Sequence, residues 1–268
     1  MHCFICETCG TQFAASEQPP ARCPICEDER QYVGWEGQRW TTHEELSARV
    51  QLRVETDAGL LGIGLASSFA IPQRALLLPT DAGNLLWECI SVVNGEALAA
   101  LLARGGVDKI VISHPHFYSS MVAWSDALGG VPILLHEADR AWVQRSSKHI
   151  HFWSGDELKL SDSVRLIRMG GHFAGSTALH WSDGPMPGGA LFPGDALQVC
   201  SDRRHVGFMY SYPNYIPMKP SAVRALRERL AGLQFEDVFG FSWGRNILGG
   251  GRAAVDASFE RYLEAVAG

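Results

Sequence analysis

The sequence predicts an α/β chain of sheet layers covered by helices, with a small separate module at its start. Three observations carry that expectation. Four cysteines fall as Cys6-x-x-Cys9-Gly and Cys23-Pro-x-Cys26 within the first twenty-six residues. Strand patterns dominate the early part of the remainder and then alternate with helix patterns. Several apolar strand patterns end in glycine- or proline-bounded turns that carry His or Asp.

Two CxxC pairs at this separation can wrap four thiolates tetrahedrally around one ion, which replaces a core too meagre to hold so short a segment. The polar stretch Glu27 to Thr42, with Gly34 and Gly37, marks the boundary, and Trp35 and Trp40 are expected to plug this clip onto the main body. Arg49 to Glu55 alternates polar and apolar as a half-buried strand does, and Asp57-Ala-Gly59 turns it into a second apolar stretch. Ala75 to Leu78 and Leu85 to Trp87 flank a turn as a second strand pair. Asn94 reads as an N-cap, Glu96 to Arg104 as a helix stopped by Gly105-Gly106, and Val107 to Ser113 as a strand. Helix is expected at 121–128 and 137–145, and strand at 131–136, 157–160, 164–169, 177–181 and 190–193. Two helices, at 221–231 and 253–266, close the chain around a strand at 237–242.

The strand at 107–113 runs into His114-Pro-His116. An extended segment sends i and i+2 to one face, so both imidazoles can meet one ion. Gly170-Gly-His172-Phe-Ala-Gly175 follows another strand and Pro193-Gly194-Asp195 a third. Each of the four residues lies just past the C-terminal end of an expected strand, where open sheets gather their sites. Three imidazoles and a carboxylate suit zinc, iron or manganese.

In this order, His114-x-His116, Gly171-His172-x-x-Gly175-Ser and Gly194-Asp195 resemble the metallo-β-lactamase superfamily, over roughly residues 45–265. The resemblance implies an αββα sandwich of two mixed sheets with metals at one edge, and puts Glu88 where the family has a buried aspartate. The clip is similar to a rubredoxin-type zinc ribbon. The expected domains are thus a ribbon at 1–36 and a metallo-β-lactamase-like domain at 37–268. Two departures stand out. The family's HxHxDH string is broken by Tyr118 and Ser119, and Ser242-Trp243-Gly244 stands where a further histidine is common. The expectation is therefore one ion bound by His114, His116, His172 and Asp195, with an open position for water. Tyr118 and Asp195 are the candidate catalytic groups, and a structural ion sits at Cys6, Cys9, Cys23 and Cys26. Zinc is expected at both sites, with iron the alternative at the ribbon and iron or manganese at the centre.

Zinc lowers the pKa of its water to about 7, supplying hydroxide for hydrolysis of an ester, thioester, lactone or phosphoester. The alternatives are a mononuclear iron redox enzyme, like the superfamily's persulfide dioxygenases, and a lapsed enzyme that binds a ligand. A formal charge of −6, and two arginines against six acids within residues 1–36, offer no field for phosphate backbones, so nucleic acid is not an expected partner. The longest uncharged runs, 58–73 and 110–125, fall short of the about 20 residues a bilayer span needs. With free thiols and no leader pattern, the expectation is a cytoplasmic protein acting on a small molecule, with a homo-oligomer through the ribbon left open. The aromatic stretch Phe208 to Pro217 is a candidate roof for the pocket, Trp243 a candidate wall, and Cys89, Cys200 and His180 are expected to be core residues.

Overall fold

The computed structural model describes residues 1–267. One sheet begins as successive antiparallel hairpins, Leu52–Asp57, Leu60–Leu65, Ala75–Thr80 and Gly83–Trp87, and then adds Lys109–Val111, Ile133–His136 and Ile150–Trp153 in parallel. The second sheet orders Glu157–Lys159, Val164–Arg168, Thr177–Trp181, Ala190–Phe192, Asp237–Phe239 and Asn246–Leu248. Its pairings are antiparallel except that between Ala190–Phe192 and Asp237–Phe239.

Two-residue periodicity sorts the side chains between faces. Leu76, Leu78, Leu85, Trp87 and Val111 point between the sheets and meet Leu166, Leu179, Ala190, Phe192 and Phe239 from the other. Phe192 and Phe239 stack at 4.7 Å between ring centroids. The intervening Leu77, Leu86 and Ile110 point outward against helices Gly95–Leu102 and Met121–Ala127. On the far side, Ile167, Ala178, Leu191 and Val238 meet helices Pro220–Arg229 and Gly251–Ala265. Helix, sheet, sheet, helix is the αββα sandwich. Among the described residues, no helix is long and apolar enough to cross a membrane.

Local chemistry explains the element ends. Asn94 Oδ1 accepts from the Glu96 amide at 2.6 Å, capping its helix. Thr42 and Glu45 form a reciprocal capping box that starts a helix, His43–Arg49, which the sequence reading passed over. Strands Ile150–Trp153 and Asn246–Leu248 were likewise unforeseen, and the expected helix at 137–145 is a 3₁₀ turn, Glu137–Trp142. Arg74 and Asn246 join the two sheets at one edge. The Arg74 guanidinium, almost wholly buried, pairs with Asp57 at 2.6 Å and donates to the Gly240 carbonyl and to Asn246 Oδ1 at 2.5 and 2.8 Å.

In the N-terminal module, Ile5–Cys6 pairs with Trp40–Thr41, so the ribbon's partner strand lies beyond residue 36. The four cysteines, Phe13 and Ile25 form a small buried cluster against which Trp40 and Trp142 pack. Trp40 meets Phe13 edge-on, as a docking plug does. Trp35 does not: its side chain is fully exposed, because the Gly34 to Gly37 turn carries it away from the body.

Candidate metal centre

Two groups of side chains converge among the described residues. Cys6, Cys9, Cys23 and Cys26 place their sulfurs within 4.8 Å of one another, as do the ligating atoms of His114, His116, His172 and Asp195.

In the ribbon, Cys6 and Cys26 sulfurs lie 3.5 Å apart and Cys9 and Cys23 sulfurs 3.7 Å. A tetrahedron built on ~2.3 Å metal–sulfur bonds has edges of ~3.8 Å, close to both of these separations. The Gln38 amide donates to Cys6 Sγ at 3.1 Å. Hydrogen bonds with Cys23 pull the Cys6 thiol down and push Cys9 and Cys26 up, the behaviour of thiols crowded onto one centre. The structure does not set the sixth and seventh cysteines against a ligand set: Cys89 is buried in the outer core and Cys200 is half-buried.

The second group gathers from three strand ends. His114 follows Lys109–Val111, His172 follows Val164–Arg168 and Asp195 follows Ala190–Phe192. Their neighbourhood differs from simple strand alternation. His114 is extended, with φ −168° and ψ 170°, and Pro115–Phe117 is a 3₁₀ turn, so His114 and His116 meet by a backbone reversal. Gly170 and Gly171 adopt φ +68° and +76°, conformations that favour glycine, and aim His172 at the pair. At Gly194, φ is +54° and an added Cβ would lie 2.5 Å from Ser113 Oγ, so this turn too needs glycine.

The nitrogens are aimed by their second partners. His114 Nδ1 bonds Ser113 Oγ at 2.7 Å and His172 Nδ1 bonds the Tyr210 carbonyl at 2.9 Å. A carbonyl only accepts, so His172 carries its proton on Nδ1 and keeps the Nε2 lone pair for the centre. That Nε2 lies 3.2 Å from His116 Nδ1, and His114 Nε2 lies 3.7 Å from Asp195 Oδ2. A tetrahedron on ~2.0–2.1 Å metal–nitrogen bonds has edges of ~3.4 Å, which these separations straddle. Within the group, His114 Nε2, His116 Nε2 and Asp195 Oδ1 are buried with no partner. Burial rarely leaves polar atoms unsatisfied without cause, and a cation among them supplies one.

Burial, then the neighbouring imidazoles, holds His114 and His116 well below the usual histidine range, and burial with Arg30 takes His172 to about 4. Neutral imidazoles are the ligating form. Burial, against a hydrogen bond from Gln198, also raises Asp195 to about 7, and a cation beside it would offset that penalty. Glu88, buried and raised to about 8 by the same cause, accepts from the Ser113 amide at 3.2 Å and so props the His114 turn.

Tyr118 is buried in the outer core, and its hydroxyl donates to the Asp139 carbonyl at 3.4 Å. Ser119 accepts from Gln73 at 2.6 Å, and its carbonyl accepts from the Gln12 amide of the ribbon at 2.9 Å. The two positions that break the HxHxDH string are thus wired into packing and ribbon docking. Trp243 lies over Gly62 and Gly64, where any Cβ would come within 2.6 Å of its ring, with Arg53 stacked on it at 4.2 Å. The aromatic stretch does reach the site: Tyr210 receives His172, and Tyr212 donates to the Asp195 carbonyl at 3.1 Å. His180 Nε2 donates to the Gln234 carbonyl at 2.8 Å within the core. Sequence reasoning missed Ser113, Asp139 and Arg30. Ser113 was legible in principle, as the hydroxyl next to an expected ligand.

No family profile matches the chain. It is 40% identical over 266 residues to the uncharacterized protein YmaE of Bacillus subtilis, covering 98% of this chain and 96% of that one. The DIM-1 metallo-β-lactamase superposes with a TM-score of 0.58 at 12% identity, over 81% of this chain and 100% of its own. The mono-zinc form of the metallo-β-lactamase FIM-1 from Pseudomonas aeruginosa gives 0.55 at 11%, over 81% and 96%. By this identity the chain belongs to one family with YmaE, and it has the metallo-β-lactamase fold, with a four-cysteine cluster ahead of the shared domain.

Proposed function

We propose that this chain is a metal-dependent hydrolase of small molecules, acting at a single ion held by His114, His116, His172 and Asp195. The observation that carries the reading is the convergence of those four ligating atoms within 4.8 Å, three imidazoles held neutral by burial and one buried carboxylate. Zinc fits the separations and the nitrogen-rich donor set, and the mono-zinc form of FIM-1 is a precedent in the same fold. When bound, such an ion supplies Lewis-acid polarisation of a carbonyl or phosphoryl oxygen and a water of lowered pKa. The chain's own residues orient the set. Ser113 and the Tyr210 carbonyl fix two imidazoles, Glu88 holds the turn that carries one of them, and Phe117 and Phe173 pack beside them and exclude water. Ester, thioester, lactone and phosphoester substrates are the classes this chemistry serves.

Elemental analysis of protein purified without added metal tests the reading. Two ions per chain are expected in the wild type and one in His114→Ala, with turnover of an ester and phosphoester panel lost together with the second ion. A His114→Ala protein that kept both ions and its turnover would overturn the assignment. A visible absorption spectrum from ferric iron in the ribbon would instead favour the redox reading.

A further inference from the structure

Just past the last ribbon cysteine, Asp28 to Gln31 lie against the larger domain. Arg30 Nε and Nη2 pair with the two Asp28 oxygens at 2.5 and 2.9 Å, and its guanidinium stacks 3.8 Å from the Phe173 ring centroid. Its remaining Nη1 donates to the main-chain carbonyl of His172 at 3.1 Å. The same segment grips the hairpin Met209–Ser211 and Ile216–Pro217. Asn214 Nδ2 donates to the Glu29 and Gln31 carbonyls at 2.9 Å each, and the Tyr210 hydroxyl donates to the Glu29 carboxylate at 2.8 Å. Ser211 Oγ donates to the Arg30 carbonyl at 3.1 Å. That hairpin offers the Tyr210 carbonyl to His172 Nδ1. His172 is therefore fixed twice from the ribbon, at its backbone by Arg30 and at its ring by a strand that the Arg30 segment holds. The fixing matters because Gly170 and Gly171, which precede His172, have little conformational preference of their own to set its direction.

We infer that Arg30 is a positioning residue for the His/Asp centre, and that the four-cysteine ribbon and that centre are coupled, metal binding at one raising affinity at the other through residues 28–31. The inference rests on the proposal that the His/Asp group holds an ion. Partners that orient a ligating histidine are worth about 10–100-fold in metal affinity, and coupling between two binding sites is reciprocal. Lysine is no substitute for Arg30, since a point charge cannot pair with both Asp28 oxygens, lie flat on Phe173 and still reach the carbonyl.

Cobalt(II) titration of the full chain, in competition with a chelator, separates the two sites by colour, because tetrathiolate cobalt absorbs far more strongly than cobalt on nitrogen and oxygen. Arg30→Ala is expected to weaken the His/Asp site at least about 10-fold and to alter its cobalt bands, with the thiolate bands unchanged and Arg30→Lys failing to rescue. Arg49→Ala, which breaks the Arg49–Glu7 ion pair elsewhere on the ribbon's docking face, is expected to leave both sites as they were. By reciprocity, His114→Ala should weaken cobalt binding at the ribbon, and a ribbon affinity equal to that of the wild type would overturn the coupling. Wild-type affinity and spectrum at the His/Asp site in Arg30→Ala would overturn the inference, as would an equal loss in Arg49→Ala. A wild-type chain that takes up thiolate-bound cobalt alone would instead overturn the proposed function beneath it.

Discussion

Replacing Ser113 with alanine removes one hydroxyl and leaves the strand, the turn and the His114 ring in place. That hydroxyl, buried and 2.7 Å from His114 Nδ1, is that nitrogen's partner, and it accepts whenever Nε2 offers its lone pair to an ion. With Ser113 Oγ as acceptor, the proton stays on Nδ1 and the lone pair on Nε2 faces Asp195 Oδ2 at 3.7 Å. In Ser113→Ala the buried Nδ1–H loses its partner, at a cost of about 1–3 kcal/mol. The ring recovers part of that by turning, which swings Nε2 off the centre. A loss of about 10–100-fold in metal affinity is about 1.4–2.7 kcal/mol, the same range. Zinc competition with a fluorescent chelator measures it in protein whose ribbon is already loaded, and the His114→Ala chain, expected to hold ribbon metal alone, gives the signal with no second site. The expected result is at least a tenfold weaker second site, roughly 1.4 kcal/mol, read with the ribbon saturated. Equal second-site affinity in Ser113→Ala and wild type, at equal melting temperature, would refute the reasoning.

Two further predictions concern stability. Asp139, buried and raised from 3.8 to about 6 by that burial, is neutral in both folded and unfolded chains below about pH 3.8. Between there and about 6 the unfolded chain gives up its proton while the folded one keeps it, so this residue's contribution falls as pH rises and is flat above. The span of 2.2 units, at about 1.4 kcal/mol each, makes Asp139→Asn the more stable protein at pH 7.5 by up to about 3 kcal/mol. Urea melts should show that gap closing toward pH 4, and a wild type at least as stable at pH 7.5 would contradict it. Arg74→Met removes the cation paired with the Asp57 carboxylate, which keeps Asn246 Nδ2 and the Gly244 amide as donors, and takes a donor from the Gly240 carbonyl and Asn246 Oδ1; it should cost about 3–5 kcal/mol. Asp57→Asn added to it should recover part, and a single-variant cost below about 1 kcal/mol would mean that the network does not bind the sheets together.

Much of the scaffold was legible because hydrophobic period and capping chemistry are local. Leu76 to Leu78 alternate between the two cores as a strand must, and Asn94 starts its helix as expected. Thr42-x-x-Glu45 carried an equally local signal that went unread. Lys109–Val111 is shorter than its apolar run because the chain leaves the sheet to build the His114 turn. Asn246–Leu248 bears little periodicity in three residues, and its place depends on pairing with Asp237–Phe239.

The sequence by itself determined which residues had the chemistry to gather metal: four cysteines in two knuckles, and three histidines and an aspartate at strand ends. Residue type and spacing along one chain suffice for that, since ligating atoms and the backbone freedom of adjacent glycines are properties of short segments. Only the tertiary structure decided which nitrogen each histidine offers, that Tyr118 gives its hydroxyl to Asp139, that Trp35 faces solvent, and that Arg30 reaches 142 positions along the chain to the His172 carbonyl. Those outcomes depend on groups brought together from distant segments when the two sheets close and the ribbon docks, and no local pattern encodes the meeting.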